Sequence, residues 1–394
     1  MANRIATDTT SPILLADNDR LYVPRDVSVI VTSGIAITSS EPLNANNFEV
    51  VVDGTVVSLA SNAILMDDDS SGLGGNTLVI GASGIVRTLS YPGNSAIYML
   101  GSGNVLQNRG EVTGTWGAYL QRFDNGMVEN HGLIAGQIQS GLYMTGSASA
   151  RVVNTGLISG AEGILFSNSD GRVDNSGEIL ATSASGSAIS AETATKEIVV
   201  LNSGQLSAPL VAVLTGGFND RVVNSGSITG DVSLGGGADL YRGTRGVVEG
   251  TVLGGAGEDL LRGGRDEDTL DGGDDKDTLR GGDGDDTLIG GAGNDLLTGG
   301  RGDDMQTGGA GRDTFMFGRH AGDDVITDFK NGIDLIDLTA FGLRPADFAG
   351  KVAPALSDAG GGATFLDLSG LGGEGSVLIE GLGFAGAGAS DFLL

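Results

Sequence analysis

Between Gly254 and Met316 the chain repeats itself every nine residues. Seven copies follow one another without a gap: GGAGEDLLR, GGRDEDTLD, GGDDKDTLR, GGDGDDTLI, GGAGNDLLT, GGRGDDMQT and GGAGRDTFM. Each has paired Gly at its start, an acid at its sixth position and, in all but one, an apolar residue at its eighth. A nine-residue unit cannot bury its own apolar residue, so such units must stack. A six-residue turn and a three-residue strand fill one unit, and two units make an 18-residue coil. The eighth-position residues Leu261, Leu270, Leu279, Leu288, Leu297, Gln306 and Phe315 then form a narrow core. Gln306 breaks the pattern and predicts a partly polar layer. Degenerate copies stand at 234–242 (LGGGADLYR) and after the run (AGDDVITDF, NGIDLIDL).

A second, longer period precedes the first. Six segments, from VLQNRGEVTG to VVNSGSITG, carry Asn108, Asn130, Asn154, Asn175, Asn202 and Asn224 at spacings of 22, 24, 21, 27 and 22. Apolar residues lie two before and four after each Asn, the same-parity positions of a strand. A further column ten before the Asn reads Tyr98, Leu120, Met144, Leu165 and Leu214. The 27-residue spacing places an insertion near 184–197. The Asn shares parity with the buried positions, so stacked amides can bond along the stack and satisfy groups that burial would otherwise penalise. The Gly two residues later is read as permitting the turn. These features predict an all-β chain: a right-handed parallel β-solenoid followed by a narrower β-roll.

The nine-residue run resembles the RTX, or hemolysin-type, calcium-binding repeat of proteins exported by type I secretion, whose pattern is GGxGxDxUx with U apolar. The chemistry agrees with that resemblance. Calcium takes about 6–8 hard oxygen ligands, which Asp carboxylates and the carbonyls of Gly-rich turns supply. The candidate metal ligands are Asp259, Asp268, Asp277, Asp286, Asp295, Asp304 and Asp313, extended by Asp324 and Asp334. Asp259, Asp277, Asp295 and Asp313 fall on one edge of the coil; Asp268, Asp286 and Asp304 fall on the other. Asp266 and Asp275 replace the fourth Gly, and Asp tolerates left-handed backbone better than most residues.

Charge gives the run its dependence on cations. Residues 254–337 hold 21 acidic and 8 basic residues, a net of -13. Such a segment repels itself until cations neutralise its edges, so Ca2+ binding becomes folding free energy. The whole chain carries -28, which excludes nucleic-acid partners that need Lys/Arg clusters. It has no Cys and two His, His131 and His320. Disulfides, thiolate zinc sites and multi-histidine metal sites are excluded. No apolar run is long enough for a transmembrane segment.

The N-terminus lacks the pattern of a secretory signal peptide. The ending SDFLL, an acid before terminal apolar residues, resembles the C-terminal signal read by the type I secretion machinery. Residues 313–341 resemble the cap of RTX β-rolls in secreted proteases and lipases.

The expected domains are an N-terminal cap or assembly segment at 1–60, the solenoid at 61–250, the RTX roll at 251–340, and a cap with the export signal at 341–394. The function this implies is non-enzymatic. The chain reads as a secreted structural protein of the cell surface or extracellular matrix (surface layer, biofilm matrix or adhesin) that folds on calcium and self-associates or meets a cell-surface polysaccharide. The alternative is a polysaccharide lyase or epimerase on the solenoid. Its nearest constellation is Trp116, Tyr119, Arg122, Asp124 and His131, with Tyr143 one coil beyond Tyr119. That group reads either as a sugar-stacking face or as a tyrosine ladder on the outside of the stack. Lys196 is the only Lys before the nine-residue run, and an anionic polymer needs more cations than that.

Overall fold

The computed structural model describes residues 3–15, 19–39, 48–67, 75–89 and 93–394. Strands dominate, with short helical turns only after Leu338. The chain forms two compact units, Met1–Gly217 with Gly226–Gly230, and Phe218–Ser225 with Asp231–Leu394.

The first unit is a parallel β-solenoid. A representative coil holds three strands, Val105–Asn108, Glu111–Gly114 and Trp116–Gln121. Each pairs in parallel with its counterpart one coil on, at Met127–Asn130, Leu133–Gly136 and Leu142–Thr145. The period-two pattern decides which side faces in. Leu106, Val128, Val152, Val173 and Val200 stack in the core, as do Val112, Ile134, Ile158, Ile179 and Leu206. Polar alternates such as Gln107 and Glu129 pair on the outside, 2.9 Å apart.

Three expectations need correction. The apolar column ten before the Asn is one residue out of register at several coils. Met99, Leu120, Met144 and Phe166 are the aligned, buried residues, whereas Tyr98 and Leu165 point outward. Val213 rather than Leu214 is fully buried. The turn between the third strand and the Asn strand varies by one residue, so a fixed offset cannot follow the column. Second, residues 1–60 are not a separate cap where they are described; positions 1–2, 16–18 and 40–47 lie outside the described residues. Asn3–Ile5 pairs with Arg20–Tyr22, and Arg20–Val23 with Glu49–Val52, all in parallel. Leu21, Val23, Val50 and Val52 repeat the inward alternation there. Third, the Gly after each Asn does not need unusual backbone. A Cβ on Gly132 or Gly156 would lie 2.2 Å from the carbonyl oxygen of the Gly in the preceding coil. Close approach of successive coils, rather than the turn itself, demands these glycines.

The insertion falls where the spacing put it. Residues 182–188 form no strand, and the register of Ile189–Thr193 against the preceding coil shifts at Leu165 to Ser167.

The second unit contains the nine-residue repeats. Strands Thr251–Ala256, Thr269–Asp274, Thr287–Ala292 and Met305–Ala310 stack in parallel as one row. Leu260–Arg262, Thr278–Asp283, Leu296–Arg301 and Thr314–Met316 form the other. Several strands are longer than expected because they run on through the Gly pair. Leu261, Leu270, Leu279, Leu288, Leu297, Gln306 and Phe315 are all fully buried between the rows. Beyond them Leu356–Gly360, Ala363–Asp367 and Glu374–Ile379 form an antiparallel sheet. Its last strand joins His320–Ile326 in parallel, and Phe392–Leu393 pairs with Ile336–Asp337.

Candidate metal edges

Each sixth-position Asp stands at the end of a turn, just before its strand. There its main-chain N–H donates to the carboxylate of the Asp one coil on. Asp259 N–H donates to Asp277 Oδ1 at 2.8 Å, Asp277 to Asp295 at 2.8 Å and Asp295 to Asp313 at 3.1 Å. On the opposite edge Asp268 donates to Asp286 at 2.8 Å and Asp286 to Asp304 at 2.9 Å. Asp324 and Asp334, outside the strict period, extend the two edges by accepting from Asp304 and Asp313. All nine are buried, and the structure aligns them in two files.

In six of the nine carboxylates one oxygen is satisfied by this ladder and the other is not; Asp268 Oδ2 and Asp334 Oδ2 instead accept the Gly264 and Lys330 N–H groups. Oδ2 of Asp259, Asp277, Asp286, Asp295, Asp304 and Asp313 is buried with no hydrogen-bond partner. An orphaned carboxylate oxygen is costly unless a cation meets it. Carbonyl oxygens converge on the same places. A Cβ built on Gly272 would lie 2.3 Å from Asp277 Oδ2 and 2.6 Å from the Gly290 carbonyl oxygen one coil on. Gly254 and Gly290 repeat this arrangement. The first Gly of the repeat is therefore required because any side chain would fill the cradle. The second holds positive φ, +107° at Gly273, where only Gly is comfortable.

Burial, reinforced at several sites by neighbouring carboxylates, raises the acids. Asp277 and Asp286 are pushed up to about 7, Asp259, Asp268, Asp295 and Asp304 to about 6, and Asp324 to about 8. Among the described residues no group of three or more His, Asp or Glu side chains is compact enough to hold a metal alone. Each interval offers two carboxylates, one from each coil, so turn carbonyls must complete a shell. Hard oxygen donors without imidazole or thiolate suit calcium and disfavour transition metals.

Residues 251–279 and 280–315 match the family profile of the RTX calcium-binding nonapeptide repeat. The chain belongs to the RTX repeat family. Among solved structures, a subunit of the mannuronan C5-epimerase of Azotobacter vinelandii is 34% identical, over 35% of this chain and 80% of that one. Its TM-score is 0.27, too low to bear on shape or activity. No curated protein matches the chain at a significant level.

Two further acids extend the RTX file upstream: Asp239, the sixth residue of the degenerate copy at 234–242, and Asp220, which lies in no nine-residue copy; neither is among the candidate ligands read from the sequence. Asp220 N–H donates to Asp239 Oδ1 at 2.6 Å, and Asp239 N–H to Asp259 Oδ1 at 2.7 Å. Both are buried, and burial pushes Asp239 up to about 8. Their spacing of 19–20 residues takes them off the strict 18-residue coil. The Gly run before Asp239 was the available signal.

The solenoid constellation comes together only in part. Tyr119 and Tyr143 stack at 4.8 Å, Trp116 on Tyr143 at 4.6 Å, and Tyr98 meets Tyr119 edge-on at 4.9 Å. The ring faces are turned on one another. Asp124 Oδ1 accepts the Ala148 N–H, and Arg122 occupies the same turn with φ +50°. His131 bonds Thr155 at 2.6 Å on the Asn turn, a different corner of the coil.

Proposed function

We propose that this RTX chain is a secreted, calcium-binding structural protein of the cell surface or extracellular matrix. Its acidic roll folds when calcium enters the intervals between coils. The observation that carries this reading is the file of buried Asp Oδ2 atoms without partners, with a turn carbonyl of the next coil beside those of Asp259, Asp277 and Asp295. The ligands are Asp259, Asp268, Asp277, Asp286, Asp295, Asp304, Asp313 and Asp324, with Asp334 closing one edge. Extracellular modules bind calcium at about 10⁻⁴–10⁻³ M, well above cytosolic levels, so the roll stays open before export and closes after it. Export through the C-terminus by type I machinery, and self-association or polysaccharide contact outside, complete the proposal. No described helix is long and apolar enough to cross a membrane.

The test is calcium titration of the full chain with light scattering and negative-stain imaging. Calcium-dependent folding with ordered assemblies supports both parts of the reading. Folding without association removes the structural role and turns the search to acidic polysaccharides as substrates of the solenoid.

A further inference from the structure

The arginines on strands of the first unit are each paired with an acid. Arg4 meets Asp19, Arg20 meets Glu49, Arg87 meets Glu111, and Arg151 and Arg172 share Asp174. In the second unit three arginines instead stand above one another. Arg242 is in register with Arg262, and Arg262 with Arg280, on the outer face of one strand row. Arg242 and Arg280 are exposed and Arg262 is half-buried. Among the described residues none of the three guanidinium groups has an ion-pair or hydrogen-bond partner, and Arg262 Nε is buried without one. Asp283, at the end of the Arg280 strand, is directed to Arg301 at 3.8 Å. Like charges stacked on neighbouring strands oppose the fold, so this row costs stability until an anion from outside meets it.

A row of the opposite sign runs along one edge of the roll. Immediately before the inner acids Asp286, Asp304 and Asp324 stand Asp285, Asp303 and Asp323, all exposed. Their carboxylates are held in file. Asp303 N–H donates to Asp285 Oδ1 at 2.8 Å, Asp323 N–H to Asp303 Oδ1 at 2.9 Å, and Ser376 Oγ to Asp323 Oδ1 at 2.7 Å. The other edge has no such row, since Lys276, Asn294 and Arg312 precede its inner acids Asp277, Asp295 and Asp313. The arginine row and the outer acid row both advance by one coil per residue, about 4.8 Å. They match in spacing and are opposite in sign. Calcium in the inner files lowers the repulsion between two such chains and leaves these outer rows free to meet.

We propose that the Arg242, Arg262 and Arg280 row of one chain docks on the Asp285, Asp303 and Asp323 row of a second copy. This proposal rests on the calcium-folded, self-associating reading above and gives that association its surface. Folding on calcium aligns both rows, and their pairing then joins copies. Equal spacing lets the ion pairs form together, and a network of exposed pairs is worth more than isolated ones. A second copy fits this row better than an acidic polysaccharide does. The chain itself supplies carboxylates at the required spacing, already ordered by the main-chain ladder, so less freedom is lost on binding.

The test is sedimentation velocity of the full chain in about 1 mM calcium, with folding followed by circular dichroism. Wild type should associate, and less so as salt is raised from about 0.05 to about 0.5 M. A triple variant with Arg242→Gln, Arg262→Gln and Arg280→Gln should associate about tenfold more weakly while calcium still folds it. A second triple variant with Asp285→Asn, Asp303→Asn and Asp323→Asn should do the same. Reversed rows, with all three Arg→Glu in one chain and all three Asp→Lys in another, should stay monomeric alone and associate when mixed. Either neutral variant associating like wild type overturns the proposal and leaves the calcium reading standing. So does an Arg→Gln variant that loses only its retention on immobilised polygalacturonate, because the row then serves an acidic polymer. A wild type that folds on calcium and never associates overturns the proposal together with the structural role. A wild type that calcium does not fold overturns the calcium reading itself. The Asn variants keep the acceptor that the next N–H needs, so the comparison survives if a reversed row fails to fold.

Discussion

Two residue types, Asn and Asp, do the same structural work with opposite requirements. In the solenoid the repeated buried Asn each donate Nδ2 to the Oδ1 of the next, 2.8 Å from Asn108 through Asn130, Asn154 and Asn175 to Asn202. The amide carries both a donor and an acceptor, so the file satisfies itself without charge. Asp has no donor when ionised. The roll therefore borrows the main-chain N–H for one oxygen and leaves the other for a cation. Asn154→Ala should cost roughly 1–3 kcal/mol, because it strips Asn175 Oδ1 of its donor and Asn130 Nδ2 of one acceptor. Urea unfolding of the solenoid with and without calcium measures this, and the loss should not depend on calcium. Asp277→Asn should act the other way, raising the calcium needed for folding by about tenfold, equivalent to ~1.4 kcal/mol. A calcium titration followed by circular dichroism reads that shift.

At the scale of elements, the core of the roll has one faulty layer. Gln306 is fully buried in register with Leu288 and Ile326, and neither its Nε2 nor its Oε1 has a partner. Gln306→Leu should stabilise the calcium-loaded roll by about 1–3 kcal/mol, removing two unsatisfied polar atoms from an apolar stack. Thermal melts in excess calcium check it. This layer was visible in the sequence because a strict period exposes any departure from it. The Asp files and the Asn ladder were legible for the same reason: an equal spacing puts equal residues above one another. What the spacing could not carry was the length of individual turns. One residue more or less before an Asn moves Met99 or Phe166 into the place expected of Tyr98 or Leu165. A 19-residue step takes Asp220 off the period.

For the whole molecule, the charge distribution links folding to the solution outside. The first unit closes its polar groups with amides and outward ion pairs such as Arg87–Glu111 and Arg151–Asp174. The second carries the acid files and depends on cations. The pH response of the roll follows from the raised carboxylates. Without calcium, the folded roll holds protons that the unfolded chain has released. Its stability is then greatest below the ordinary carboxylate range and falls as pH rises through about 6 to 8. Calcium competes with the same protons, so its affinity should climb across that window and level off above about 8. Calorimetric titrations at several pH values, with proton release measured in buffers of different ionisation enthalpy, test the sign.

The most direct measurement of the central claim is hydrogen–deuterium exchange of the full chain, with and without calcium. The account predicts that amides of residues 251–340 are unprotected in chelator and strongly protected in about 1 mM calcium. Those of the Asn-ladder coils, residues 105–217, should be protected in both. Equal protection of 251–340 in both conditions would contradict it, because the acid files would then close without the cation that their orphaned oxygens require.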